Sequence, residues 1–397
     1  MLKKVIIIGP AWPLRGGLAT YDQRLAKAFN DDGYEASIYS FSLQYPKFLF
    51  PGTTQFSSDP PPQGLDIQTA INSINPANWI VVGNRIRRER PDLIVVRFWL
   101  PFMGPALGTI LRIVRKNKHS RIIAITDNVI PHEKRFGDKN FTSYFLKACD
   151  AYITMSEKVM KDLRTFNEDK PAIQVLHPLY DNFGEPVPKS VARQKLGIDV
   201  NGHLVLFFGF IRKYKGLDIL LQSIKLLADQ HDAAHTEVPK LLIAGEFYED
   251  ARPYEALIER LGISQHLILR TSFIPDSEVK YYLCAADLVV QPYRNATQSG
   301  VTPLAYHFEK PMVVTNVGSL PDLVPHLKSG LVAEPDAESI AAAIHLYFEL
   351  GENYFIPHLR SEKQKYSWSR LLEAITTLAN DIQKEGSVKD RACWWRN

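Results

Sequence analysis

Arg212 and Lys215 are the side chains of this 397-residue chain best suited to chemistry. They stand in the loop Gly209-Phe-Ile-Arg-Lys-Tyr-Lys-Gly216, between an apolar run (203–208) and an amphipathic one (217–228). Two cations flanking a helix start suit a diphosphate, because they add charge-assisted hydrogen bonds where the helix dipole already favours an anion. Solvated loop cations would look the same in isolation, so a partner element is needed. It lies between Leu288 and Thr315, reading LVVQPYRNATQSGVTPLAYHFEKPMVVT. A β-branched run stops at Pro292, a polar loop ends at Ser299-Gly300, and apolar residues recur at helical spacing (Val301, Leu304, Ala305, Phe308). A second β-branched run follows Pro311. This is the strand–loop–helix–strand unit of a parallel sheet. Ser299 is expected as the helix N-cap, with Gly300 leaving the first amide hydrogens uncovered for phosphate. An ordinary capped crossover helix carries the same signature.

A second group of candidates lies near the start. The apolar run Val5–Ile8 breaks at Gly9-Pro10, and the loop continues through Arg15 to Gly16-Gly17 before a helix over 19–30 and a strand over 36–39. The opening is Rossmann-like, but the glycines do not form GxGxxG, and no acid closes the second strand. Gly16-Gly17 either lets backbone approach a ligand or makes a tight turn. Further on, the loop 127–138 begins at the carboxyl end of an expected strand, where open α/β sheets place ligands. Its chemically capable members are His132 and Glu133.

The elements that must position these residues are a β/α series interrupted twice. Residues 42–76 are rich in Pro, Ser, Gln and Phe and are expected to form a long irregular insertion. His177-Pro178 and the prolines up to Pro188 break the rhythm and mark a linker. After it the rhythm restarts at 203–208. A strand over 240–244 ends in Gly245-Glu246, and Phe273-Ile274 precede a helix capped by Asp276 or Ser277. The fold class is therefore α/β, two Rossmann-like doubly wound domains whose strand ends face a central cleft. The expected divisions are 1–178 and 179–365, then a helix over 366–385 packing back on the first domain and a tail over 386–397 carrying Cys393-Trp394-Trp395.

Composition narrows the function classes. With 47 basic against 43 acidic residues and a net charge of +4, the chain does not describe a nucleic-acid binder. Basic residues do cluster at Arg85, Arg87, Arg88 and Arg90, and again at Arg112, Arg115, Lys116, Lys118 and Arg121. These are solvated helix faces, or a flank that meets anionic lipid or a phosphorylated acceptor. Three widely spaced cysteines suggest a reducing compartment and neither a zinc site nor a disulfide framework. The first apolar run is too short for a signal peptide, and no window is long enough to span a bilayer. The expected location is the cytoplasm, with at most a peripheral membrane contact.

Taken together, these stretches resemble the retaining GT-B glycosyltransferases of the glycogen-synthase-like group called family 4. Phe208-Gly-Phe-Ile-Arg-Lys-Tyr-Lys-Gly-Leu-Asp, Ala286-Asp-Leu-Val-Val-Gln-Pro-Tyr and Gln298-Ser-Gly-Val carry the resemblance. So do Lys310-Pro-Met-Val-Val-Thr-Asn-Val-Gly-Ser-Leu-Pro and Tyr366-Ser-Trp. The resemblance implies a nucleotide diphosphate sugar donor held mainly by the second domain. Arg212 and Lys215 would grip the diphosphate beside Gly209 and Glu246, and Gln298 and the amides of Ser299, Gly300 and Val301 would complete the cradle. The base would lie near Phe273 and Ile274. Arg15, Gly16, Gly17, Asn128 and Glu133 fall on the acceptor side, and His132 in the loop that reaches the donor sugar. The acceptor would be a saccharide or a lipid-linked acceptor. No Asp-X-Asp occurs in the chain, so neither a metal nor another cofactor is implied.

Two departures from the family pattern stand out. Two glutamates common in the family would fall near Ala296 or Thr297 and on Leu304 or Ala305, and Glu309 sits too late to substitute for the second. The family often has His-Asn where this chain has Asp127-Asn128. Rival readings are a nucleotide-sugar epimerase, for which Glu133 and Glu246 are the available carboxylates, and a nucleotide-sugar-binding protein without catalysis.

Overall fold

A computed structural model describes residues 2–46, 50, 54–131, 136–199, 201–234, 238–296 and 299–393, with side chains described up to 230 and 382 in the two helices that follow those points. The chain divides into two compact units. The first comprises Met1–Phe50, Gln55–His177 and Ser367–Asn397, the second Pro51–Thr54 and Pro178–Tyr366.

In chain order the first unit contains β1 (Lys4–Ile8), α1 (Gly17–Asp31), β2 (Glu35–Leu43), β3 (Asp66–Asn72), α2 (Pro76–Glu89) and β4 (Leu93–Phe98). It continues with α3 (Gly104–Val114), β5 (Arg121–Thr126), α4 (Asp138–Leu146), β6 (Ala151–Thr154), α5 (Glu157–Arg164) and β7 (Ala172–Gln174). The described strands form one parallel sheet in the order β3-β2-β1-β4-β5-β6-β7. Val5–Ile8 and Leu93–Phe98 are buried throughout, as expected of strands covered on both faces. Helices α2, α3 and α4 pack side by side, and the Phe98 and Phe145 rings stack at 4.2 Å between β4 and α4.

The second unit follows with α6 (Lys189–Leu196), β8 (Leu204–Phe208), α7 (Leu217–Ala234), β9 (Lys240–Ala244), α8 (Arg252–Leu261), β10 (Leu267–Arg270), α9 (Val279–Ala285) and β11 (Leu288–Gln291). Then come α10 (Val301–His307), β12 (Met312–Thr315), α11 (Leu320–Leu323), β13 (Gly330–Ala333), α12 (Ala337–Leu350) and α13 (Glu352–Lys363). Its sheet is again parallel, ordered β10-β9-β8-β11-β12-β13. Asp287 anchors the strand β11 at its start: its carboxylate accepts from the Leu204 amide at 2.7 Å and pairs with Arg193 at 2.8 Å and Lys189 at 2.5 Å. The last helix, α14 (Trp368–Cys393), returns to the first unit and packs against α1 and β5.

Three expectations need correction. Residues 42–76 are not wholly irregular, because β2 runs on to Leu43 and Asp66–Asn72 add an edge strand. Only Ile71 of that strand is fully buried, so it lacks the apolar run of an interior strand. Neither Asp276 nor Ser277 caps α9, whose N-cap is Glu278 with no side-chain bond. The stretch from 386 is helical as far as Cys393, and Trp394 and Trp395 lie outside the described residues.

Candidate active site

The second sheet reverses its winding between β8 and β11, the point at which open α/β sheets bind ligands. The loops leaving those two strands hold most of the donor residues expected from the sequence. Gly209 follows β8 with φ 96°, and a Cβ there would lie 3.0 Å from Lys215 Nζ and 3.8 Å from Val301 Cγ2. The Lys215 ammonium is thus folded back over the strand end, beside the first residue of α10. Gly216 (φ 67°) closes the turn, and a Cβ on it would sit 1.9 Å from the Pro292 carbonyl oxygen. Any side chain there would push the two loops apart.

Lys215 is 9% exposed, and its Nζ lies 5.7 Å from the Tyr293 ring centroid. Among the described residues no carboxylate balances it. Burial, and next to it the charge of Arg212, pull its pKa down to about 7. Arg212 is exposed, with its guanidinium 5.2 Å over the Tyr248 ring. The Phe210 ring stacks on Tyr248 at 4.1 Å and lies 6.4 Å from Phe273. An aromatic group at the ends of β8, β9 and β10 therefore borders the cation pair. Ile274 is buried beside Phe273 in sequence. Glu246 is buried at the end of β9, and its carbonyl accepts from the Ile211 amide at 2.8 Å.

Ser299 differs from expectation. The helix begins at Val301, with Gly300 as N-cap and no side-chain cap. The Ser299 hydroxyl donates to Gln291 Oε1 at 2.5 Å and accepts from the Val301 amide at 3.2 Å. The Val301 amide is therefore already engaged, and Pro303 brings no amide hydrogen to the first turn. What remains of the expected cradle is the backbone of Ser299 and Gly300. Leu304 and Ala305 are buried in α10. Glu309, after that helix, is bound by Arg360 at 2.8 Å and by Lys363, so it is committed elsewhere. Gln298 lies outside the described residues.

In the first unit the reversal falls between β1 and β4. The loop after β1 carries Arg15, whose amide donates to Gln55 O at 3.0 Å, then Gly16 (φ 98°), the N-cap of α1, and Gly17, its first residue. Asn128 follows β5, one strand further along. His132 and Glu133 lie outside the described residues. At this reversal sits a buried charge cluster that sequence reasoning missed. Arg97, in β4, donates to both Asp127 oxygens at 2.6 Å and lies 3.7 Å from Asp22 of α1. Its guanidinium also stacks 3.8 Å over the Tyr21 ring. Burial pushes the Asp22 carboxyl well above the usual range, opposed by Arg97. The available signal was Arg97 itself, a charge in the otherwise apolar run Leu-Ile-Val-Val-Arg-Phe, which must find partners to be buried. Among the described residues no three His, Cys, Asp or Glu side chains are arranged to hold a metal ion.

Two doubly wound α/β units, the second with a cation pair at its winding reversal, are the architecture of the GT-B glycosyltransferases. The sequence model for glycosyltransferase family 4 matches residues 15–181, and that for group 1 glycosyl transferases matches 202–349. The chain belongs to this glycosyltransferase family. It is similar to a D-inositol 3-phosphate glycosyltransferase of Jonesia denitrificans, 27% identical over 236 residues. That match covers 55% of this chain and 54% of the relative, so the chain spans about half the length of the relative it matches. Among solved structures it is similar to the sucrose-phosphate synthase of Thermosynechococcus elongatus, with a TM-score of 0.70, 14% identity and coverage of 98% and 99% of the two chains. An Anabaena protein solved in complex with UDP-glucose gives a TM-score of 0.65, 16% identity and coverage of 97% and 100%.

Proposed function

We propose that this protein is a retaining glycosyltransferase that moves a sugar from a nucleotide diphosphate donor to a saccharide or lipid-linked acceptor. The observation that carries the reading is the buried Lys215 ammonium beside Arg212, at the winding reversal of the second unit, with no carboxylate to balance it among the described residues. Burying an unbalanced cation costs stability, and an anionic ligand that supplies the missing charge accounts for it. Family membership and the UDP-glucose complex of the Anabaena protein support a nucleotide sugar as that ligand. The aromatic group of Phe210, Tyr248 and Phe273 offers a flat surface on which a base can stack.

In the reaction the acceptor hydroxyl attacks the anomeric carbon while the bond from that carbon to the phosphate oxygen breaks. The electron pair of that bond leaves with the nucleoside diphosphate. Arg212 and Lys215 stabilise the charge as it grows, and the departing phosphate oxygen takes the acceptor's proton on the same face, which retains configuration. No protein nucleophile and no metal has a part in this account. The first unit serves the acceptor, with Arg15, Gly16 and Gly17 at its own winding reversal.

Kinetics test it. Release of nucleoside diphosphate is followed with purified protein, candidate sugars and acceptors, with and without EDTA. Arg212→Ala and Lys215→Ala should each lower kcat/KM about 100-fold or more, and EDTA should leave the wild-type rate unchanged. Near-native rates in both variants would remove the diphosphate assignment, and loss of activity in EDTA would remove the metal-free mechanism.

A further inference from the structure

The outer face of α2 combines two features that rarely coexist on a solvated helix. On the helix Val81 and Ile80 are 66% and 53% exposed, and Ile74, in the turn before it, is 50% exposed. Val81, Arg85 and Arg88 lie at i, i+4 and i+7, so apolar and basic residues share one stripe. Beyond the C-terminal end of that stripe stand Arg90 and, in the turn Arg115–Asn117 packed against α2, Lys116, with Lys118 next to it. Among the described residues none of Arg87, Arg88, Arg90, Lys116 and Lys118 forms an ion pair. The acids close by are engaged already. Glu89 binds Lys4 at 3.0 Å and the Tyr39 hydroxyl, Asp92 accepts from His119 and the Lys3 and Lys4 amides, and Asp150 pairs with Arg115.

We infer that this face docks on an anionic lipid surface, with Ile80 and Val81 entering the headgroup boundary and the arginines and lysines meeting the phosphates. Basic residues at a helix C-terminus also complement the helix dipole, which accounts for Arg87 and Arg88 but not for the exposed branched residues about two turns earlier. The mixture of exposed apolar side chains and unbalanced positive charge matches a bilayer interface, where each component finds its counterpart. The helices behind hold the face firm. A Cβ on Gly83 of α2 would lie 3.0 Å from Ile113 of α3, and one on Gly108 of α3 would lie 2.7 Å from the Tyr144 ring of α4. On α4, Phe141 and Tyr144 are 40% and 38% exposed and extend the apolar surface across the same layer. Among the described residues no helix is long and apolar enough to cross a membrane, so the contact is peripheral. The inference stands on the surface of the first unit and does not depend on the glycosyl-transfer reading.

Flotation of the full chain with vesicles tests it. Phosphatidylcholine vesicles are compared with vesicles containing about a third phosphatidylglycerol, at low and high salt. The protein should float with the anionic vesicles and detach as salt rises. The pair Arg88→Glu with Arg90→Glu should weaken binding at least about tenfold, and so should Ile80→Ser with Val81→Ser. All four positions are exposed, and an unchanged thermal midpoint confirms folding. Absence of flotation with either vesicle, or binding that both pairs leave intact, overturns the inference. So does concentration-dependent self-association that Ile80→Ser with Val81→Ser abolishes, because the face would then belong to a second copy of the chain. A thermal shift by UDP in each variant reads the nucleotide site separately.

Discussion

Lys215 makes a prediction that most other lysines would not. Its ammonium is buried beside Arg212, and its pKa near 7 means that part of the population is neutral at physiological pH. A diphosphate restores the charged form, so binding takes up a proton above about pH 7. Affinity for UDP should therefore be flat below that value and fall by up to tenfold per pH unit above it. Calorimetric titration across pH 6–9 reads this directly. In Lys215→Arg, whose guanidinium stays charged, the slope should disappear; an unchanged slope would assign the proton elsewhere. Asp22 has the opposite sign. Its folded pKa is raised above the unfolded value of about 3.9, so its contribution is most favourable at low pH and is lost as pH rises from there towards the folded value. Asp22→Asn should gain stability relative to wild type as pH increases above about 4, measured by urea unfolding. A constant difference would mean that Asp22 is ionised in the fold. The sequence disclosed Lys215 and Arg212 because loop position and charge are local properties. It did not disclose the Arg97 cluster, whose members come from α1, β4 and the end of β5 and meet only in three dimensions.

At the scale of elements, the short helix α10 decides how the donor can be held. Its sequence signature was legible, yet its start was misread by one residue, because Ser299 bonds to Gln291 of β11 as well as to the backbone ahead of it. A side chain tied to the preceding strand leaves no spacing pattern. Leu304, one of the two positions (with Ala305) at which the family resemblance would place a glutamate, faces the interior at 5% exposure. Leu304→Glu should therefore destabilise the protein by about 3 kcal/mol or more in urea unfolding, with no gain in UDP affinity. An unchanged midpoint with tighter UDP binding would show that this helix face meets the ribose after all. The strand β3 went unread for a related reason. Edge strands bury few residues, so tertiary pairing with β2 supplies what the apolar pattern does not.

At the scale of the whole molecule, the two-unit α/β architecture was the most legible feature. Buried parallel stretches such as Val5–Ile8 and Leu288–Val290 are apolar throughout, and the proline-rich stretch after His177 interrupts the rhythm where the units divide. The surface proposed for the base was not legible as a unit, because Phe210, Tyr248 and Phe273 come from separate strand ends and meet only in the fold. The central claim is that the second unit holds a nucleoside diphosphate at Arg212 and Lys215. Thermal unfolding of the purified protein against UDP, GDP, ADP, CMP and their sugars, with and without magnesium, tests it most directly. One diphosphate should raise the unfolding temperature with increasing ligand concentration, with or without the metal, and the double variant Arg212→Ala, Lys215→Ala should keep its own stability while losing the shift. A folded protein that no member of the panel stabilises, or a double variant that responds like wild type, would contradict the account.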